Sequence, residues 1–178
     1  PELLDFCVEQ PENLAVGESP WMGGDLTARQ CAEKLREQGE PAVFIKGDGP
    51  LIQMGIAEGR LQPTALIGII PVSTERREVS VNTTRIANVD ATDTAALSRS
   101  VSGLIDQAWM SIAFMRASVP GFGKSYFAGM GHRVGIRETR RIVADYVLSR
   151  DDVFNGRKRI DGIGKGSHHI DIHQDGIK

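Results

Sequence analysis

The residues best suited to chemistry fall in one short stretch, "VPGFGKSYFAGMGHRVGIRETRR" (Val119 to Arg141), which joins several glycines, a Gly-Lys-Ser triplet and four arginines. Three chemistries use such residues: a phosphate cradled by backbone N–H groups, a nucleic-acid backbone met by a basic patch, or an anion gripped by guanidinium forks. Position counting separates them. A nucleotide phosphate loop reads G-x-x-x-x-G-K-[ST] between a strand and a helix. Its first glycine would fall on Ser118, and the segment follows a helical pattern and Pro120. The dinucleotide fingerprint G-x-G-x-x-G fails at Tyr126 when started from Gly121, and at Val134 when started from Gly129. These glycines therefore read as tight bends.

Between His132 and Ile160 stand eight basic residues (Arg133, Arg137, Arg140, Arg141, Arg150, Arg157, Lys158, Arg159) and four acidic ones (Glu138, Asp145, Asp151, Asp152). Nucleic-acid binding wants aromatic platforms interleaved with the cations, and only Tyr146 and Phe154 are near. Anion or carboxylate recognition fits better, since guanidinium carries a permanent charge and a bidentate fork. A solvated face, with Glu138 neutralising Arg137 or Arg141, is the plain alternative. Near the end, His168, His169 and His173 form His-His-x-x-x-His. On a strand His169, Asp171 and His173 share one face while His168 points away, and no zinc-enzyme motif is present, so no metal is expected.

The whole chain sets limits on its partners. Its formal charge of -2 over 178 residues gives no overall field toward nucleic acid or membrane, and no apolar run approaches the ~18 residues of a membrane span. Nucleic acid and membrane are thus not expected as partners. Cys7 and Cys31 lie far apart without Cys-x-x-Cys spacing, no signal-peptide pattern is visible, and the reading suits buried free thiols in a cytoplasmic protein. The chain begins at Pro1 and ends on "IDIHQDGIK", which suggests a single domain cut from a longer polypeptide.

Several elements must position these residues. Ala28, Cys31, Ala32 and Leu35 predict an amphipathic helix, with Asp25 or Thr27 as its cap and Gly39 as its end. "AVFIK" (Ala42 to Lys46) predicts a strand, and Asp48 is placed to cap a helix that begins at Pro50 and closes at Gly59. "ALIGII" (Ala65 to Ile70) and "EVSVNTTRI" (Glu78 to Ile86), joined by "STERR", predict a hairpin. Asp93 to Ser118 predicts a long helix of about seven turns, with Leu97, Val101, Leu104, Ala108, Ile112 and Met115 on its buried face. "RRIVADYVL" (Arg140 to Leu148) alternates like a strand with one buried face, Ser149 and Asp152 cap a short helix, and "HHIDIH" predicts a last strand. Without regular βαβ alternation, the fold class is α+β: a mixed, mainly antiparallel sheet with helices packed on one face.

In order and spacing, "VNTTRIANVDATD" (Val81 to Asp93), "VPGF" (Val119 to Phe122), "VGIRETRRIVADYVLSRDDV" (Val134 to Val153) and "GSHHIDIH" (Gly166 to His173) resemble the FAD-dependent oxidoreductase family. The likeness covers about residues 59 to 173 and is most specific around Arg137. Where that family often has Tyr-Pro before Ile-Asp-Ile-His, this chain has His168-His169, which leaves His173 as the motif histidine.

The resemblance implies a substrate-side middle domain, whose sheet covers the isoalloxazine ring, in a protein whose FAD sits mainly in a Rossmann-type domain. It also implies FAD in the full-length protein, not held by these residues alone, with that FAD-binding domain and a small-molecule substrate as partners. Flavin oxidoreductases build negative charge near N1 and the C2 carbonyl, and a cation there lowers the barrier. Arg137 and Arg140 suit that work, with Arg85 a second cofactor contact beside Arg137. His132 or His173 suits acid or base duty, because imidazole titrates near neutrality. Two other classes compete: an anion-binding or regulatory α+β domain using the basic cluster, and a structural docking domain.

Overall fold

A computed structural model describes residues 1–18, 26–39, 41–137 and 139–166. The described residues form two compact units, one ending at Val134 and the other running from Gly135.

In the first unit, helix α1 (Glu2–Glu9) buries Leu4, Phe6, Cys7 and Val8. It has no counterpart among the sequence-based expectations. With eight residues and no side-chain cap, it is too short for periodicity to register. Helix α2 (Ala28–Gln38) starts on a capping box between Thr27 and Gln30, buries Cys31, Ala32 and Leu35, and ends at Gly39 with φ 87°. The spacing anticipated the Thr27 cap, the three buried residues and the Gly39 end, but not the part played by Gln30; Asp25, the other proposed cap, lies outside the described residues.

Strand β1 (Val43–Lys46) leads into helix α3 (Pro50–Ala57). Asp48 does not cap α3: it is exposed and pairs with Lys46. The side chain of buried Asn13, far away in sequence, accepts the Leu51 N–H at 2.8 Å. The turn between β1 and α3 has no room for a side chain at its first position, because a Cβ on Gly47 would lie 2.1 Å from the Thr64 carbonyl oxygen.

Strands β2 (Leu66–Ser73) and β3 (Glu78–Asn82) form the expected hairpin, and the described sheet is antiparallel throughout, in the order β1-β2-β3. Val43 opposite Ile69 and Ile45 opposite Ile67 put four buried apolar side chains on one sheet face. A bulge between Pro71 and Ser73 breaks the β2–β3 register. The α+β expectation thus holds.

Helix α4 (Thr94–Ser118), capped by Asp93, is the long helix expected. Its buried face differs from the apolar stripe read from the sequence. Of that stripe only Met115 is buried, and the inward residues are Ser111, Phe114 and Met115. Fully buried Phe114 lies so close to α3 that a Cβ on Gly55 would sit 2.3 Å from its ring. After α4, Val119–Phe122 and Phe122–Ser125 backbone hydrogen bonds make two successive turns, so Gly-Lys-Ser is a turn as expected.

In the second unit, α5 (Arg150–Phe154) carries the expected capping box of Ser149 and Asp152. The expected strand at Arg140 to Leu148 is not formed. The segment is irregular, and Ile142 and Val143 are almost wholly exposed. Alternating β-branched residues describe a fit to a half-buried pleated surface, and among the described residues no strand pairs with this segment to give its backbone a ladder. The proposed last strand, "HHIDIH", lies outside the described residues. No described helix is long and apolar enough to cross a membrane.

Candidate functional site

Arg85 leaves the sheet just beyond β3 and is half-buried. Its backbone is held at two points by one side chain of α4. The Arg85 N–H donates to Gln107 Oε1 at 2.9 Å, and Gln107 Nε2 donates to the Arg85 carbonyl at 3.0 Å. Two residues before it, the Thr83 carbonyl accepts from the hydroxyl of buried Thr64 at 3.1 Å. One turn along α4 from Gln107, Ser111 Oγ accepts from Gln62 Nε2 at 3.1 Å. This polar seam leaves two buried atoms unpartnered among the described residues, Gln62 Oε1 and Thr83 Oγ1.

His132, the other candidate in the first unit, is exposed in a bend and makes no side-chain hydrogen bond or ion pair among the described residues. Arg137 and Arg140 lie in the second unit, both exposed on irregular backbone. His173 and Glu138 lie outside the described residues. Each unit thus carries part of the candidate set: Arg85 and His132 in one, Arg137 and Arg140 in the other.

The second unit also holds a cluster that sequence reasoning missed. Asp152 is buried, and its Oδ2 accepts from the Tyr146 hydroxyl at 2.5 Å, the Ser149 hydroxyl at 2.7 Å and the Ser149 N–H at 2.8 Å. Arg157 Nη1 reaches both Asp152 Oδ1 and the Tyr146 oxygen, each at 3.0 Å. Arg159 lies over the Tyr146 ring, 4.2 Å from its centre, and grips Asp161 with two nitrogens at 2.9 and 3.2 Å. The Tyr146 hydroxyl, followed by the Ser149 hydroxyl and N–H, holds the Asp152 carboxyl well below the usual carboxylate range. The same bond pushes Tyr146 up, because a phenol that donates to a carboxylate must keep its proton; Arg157 and Arg159 oppose this more weakly. Two of the eight basic residues are therefore committed to holding the cluster together. The only sequence signal was the Ser149–Asp152 cap, which gave no hint of Tyr146 or Arg157.

Gln107 was missed for a related reason. A glutamine inside an apolar helix reads as a solvent position, and only its i, i+4 relation to Ser111 marks a polar stripe facing inward.

Arg85, Arg137 and Arg140 each carry a permanent positive charge and a fork of donors, the chemistry that meets an anionic group or a carboxylate. Among the described residues no three His, Cys, Asp or Glu side chains gather as a metal site.

No curated protein and no solved structure matches the chain. The model of one family, FAD dependent oxidoreductase, matches residues 49–178, a span that holds Arg85, His132, Arg137, Arg140 and the Tyr146–Asp152 cluster. The match extends beyond the likeness at residues 59 to 173 and covers most of the chain, so the chain belongs to the FAD dependent oxidoreductase family.

Proposed function

We propose that these residues form the substrate-side part of an FAD-dependent oxidoreductase, shaping the pocket over the flavin in which a small-molecule substrate is oxidised or reduced. FAD is the cofactor of the full-length protein, and it supplies hydride exchange when bound. The observation that carries the reading is the family match over residues 49–178 in a stretch with no G-x-G-x-x-G turn. The dinucleotide is then held mainly by another domain of the same polypeptide, which is the partner of this one, and the enzyme works in the cytoplasm.

Arg137 and Arg140 bring permanent charge to the place where negative charge develops, and either one can orient a substrate carboxylate with its fork. Arg85 is the other residue read as a cofactor contact, and its backbone is fixed by α4. His132 or His173 holds or moves the proton that accompanies hydride transfer.

The direct test is stopped-flow reduction of the flavin by substrate in the full-length enzyme carrying Arg137→Ala. Loss of one preorganised donor is expected to slow reduction by about 100-fold or more. Wild-type rates would remove Arg137 from the site. The 178 residues alone are expected not to retain FAD, and stoichiometric binding by them would overturn the division of labour.

A further inference from the structure

Gly103 and Gln107, one turn apart on α4, seat the chain that leaves β3, and Ser111, one turn further on, holds the chain that leads into β2. At Gly103 the helix surface is bare, and the Ile86 Cδ1 atom lies 3.0 Å from where a Cβ would project. At Gln107 the carboxamide meets both backbone groups of Arg85. At Ser111 the hydroxyl takes the Gln62 amide, and two residues on from Gln62 the Thr64 hydroxyl reaches the Thr83 carbonyl.

The N–H and C=O of one extended residue point the same way, as they do toward a neighbouring strand. Gln107 supplies the acceptor and donor that such a strand would supply. A single hydrogen bond would leave the peptide free to rock about it. Two bonds to one residue fix its rotation as well, and hence the direction in which its Cα–Cβ bond leaves the chain.

We infer that Gln107 is a positioning residue for the oxidoreductase reaction, acting through Arg85 by fixing the backbone from which its side chain departs. This rests on the reading of Arg85 as a cofactor contact. Gln107 itself need not touch flavin or substrate. Its side chain is spent on the Arg85 backbone, and its effect on chemistry passes through the placement of one charge.

The test is a double-mutant cycle in the flavin-loaded full-length enzyme: Gln107→Leu, Arg85→Ala and both together. Flavin reduction rate and flavin reduction potential are measured for each, with thermal unfolding as a check on folding. Leu keeps the helix and roughly the volume but removes both hydrogen bonds. Gln107→Leu is expected to slow flavin reduction by about ten- to a hundredfold, the cost of a small misplacement, and to make the potential more negative. In the Arg85→Ala background it is expected to add nothing further. Gln107→Glu keeps the acceptor for the Arg85 N–H but turns a carboxylate toward its carbonyl, and is expected to recover little.

Additive losses in the double variant would overturn the inference, as would an unchanged rate and potential in Gln107→Leu when Arg85→Ala is impaired. An Arg85→Ala enzyme with wild-type rate and potential would instead overturn Arg85 as a cofactor contact, and the inference with it.

Discussion

The Tyr146 hydroxyl donates to Asp152 Oδ2 at 2.5 Å, and the same carboxylate oxygen receives two further hydrogen bonds from Ser149. Three donors on one oxygen, with Arg157 on the other, fix the start of α5 to the chain before it. The carboxylate is the hub, so its charge state governs whether the cluster holds.

Because the folded-state pKa of Asp152 lies below its ordinary value of 3.8, the stability it contributes is fully present above that value and is lost as pH falls further. The cluster is therefore expected to remain intact through pH 5. Tyr146→Phe removes the largest cause of the shift and is expected to raise the Asp152 titration toward its ordinary range. The check is the pH dependence of the Asp152 NMR shifts in the variant and wild type. Matching titrations would show that Tyr146 is not the main donor.

Tyr146 gives the opposite sign. Its pKa is raised above 10.0 by donation to Asp152, so its contribution is complete below that value and fades as pH climbs through the higher folded pKa. Phenolate absorbance in a Tyr126→Phe background is expected to show Tyr146 ionising above 10.0, and adding Asp152→Asn is expected to bring it down toward that value. Ionisation of Tyr146 at its ordinary value with Asp152 intact would contradict this.

At Gly55 the ring of Phe114 from α4 packs directly against the backbone of α3. A methyl group there would sit 2.3 Å from the ring of Phe114, which is only 1% exposed and has nowhere to move. Helix propensity favours alanine over glycine by about 1 kcal/mol, but overpacking a rigid core costs about 1–3 kcal/mol. Gly55→Ala is therefore expected to be destabilising, measured as a lower urea midpoint. A higher midpoint would mean that the two helices can part without cost.

Asn13 does from a distance what a residue next to α3 usually does. Asn13→Ala leaves the buried Leu51 N–H without its acceptor and is expected to cost about 0.5–2 kcal/mol, in the range of a lost helix cap. Asp48→Ala, at the position the sequence favoured, is expected to leave stability nearly unchanged. Urea unfolding of both variants decides between the two caps.

Cys7 and Cys31 are both free and buried, and burial pushes the Cys7 thiol up to about 11. Neither thiol is expected to react with a chromogenic disulfide reagent at pH 8 until denaturant is added. Rapid labelling of the native protein would contradict that burial. The neutral Cys7 thiol contributes fully below its ordinary 9.0, and this contribution disappears as pH rises through the folded value.

Local patterns that depend on a few neighbouring residues were readable without coordinates. The Thr27 cap, the Gly39 end, Ser149 with Asp152, and the hairpin around Thr74 to Arg77 all stand as their residue types dictate. Features set by distant neighbours were not. Nothing about Asn13 announces Leu51, and nothing about Gln107 announces Arg85, since in both cases a side chain replaces a backbone partner across a long gap in sequence. The strand expected at Arg140 to Leu148 was misread for the same reason: alternation records a face ready to be covered, whereas a strand also needs an adjacent backbone. On α4, apolar residues on several faces masked a polar seam that turned out to face inward.

The order of the strands bears on how the first unit assembles. Because β1, β2 and β3 neighbour each other in space in the order in which they are synthesised, each strand finds its partner already made, and no later segment must thread between two earlier ones. The β2–β3 hairpin closes over only a short turn, a cheap loop in entropic terms. Such a sheet has low contact order, the arrangement associated with fast folding and brief exposure of unpaired strand edges. A chain emerging from the ribosome can therefore complete this sheet before α4 is synthesised.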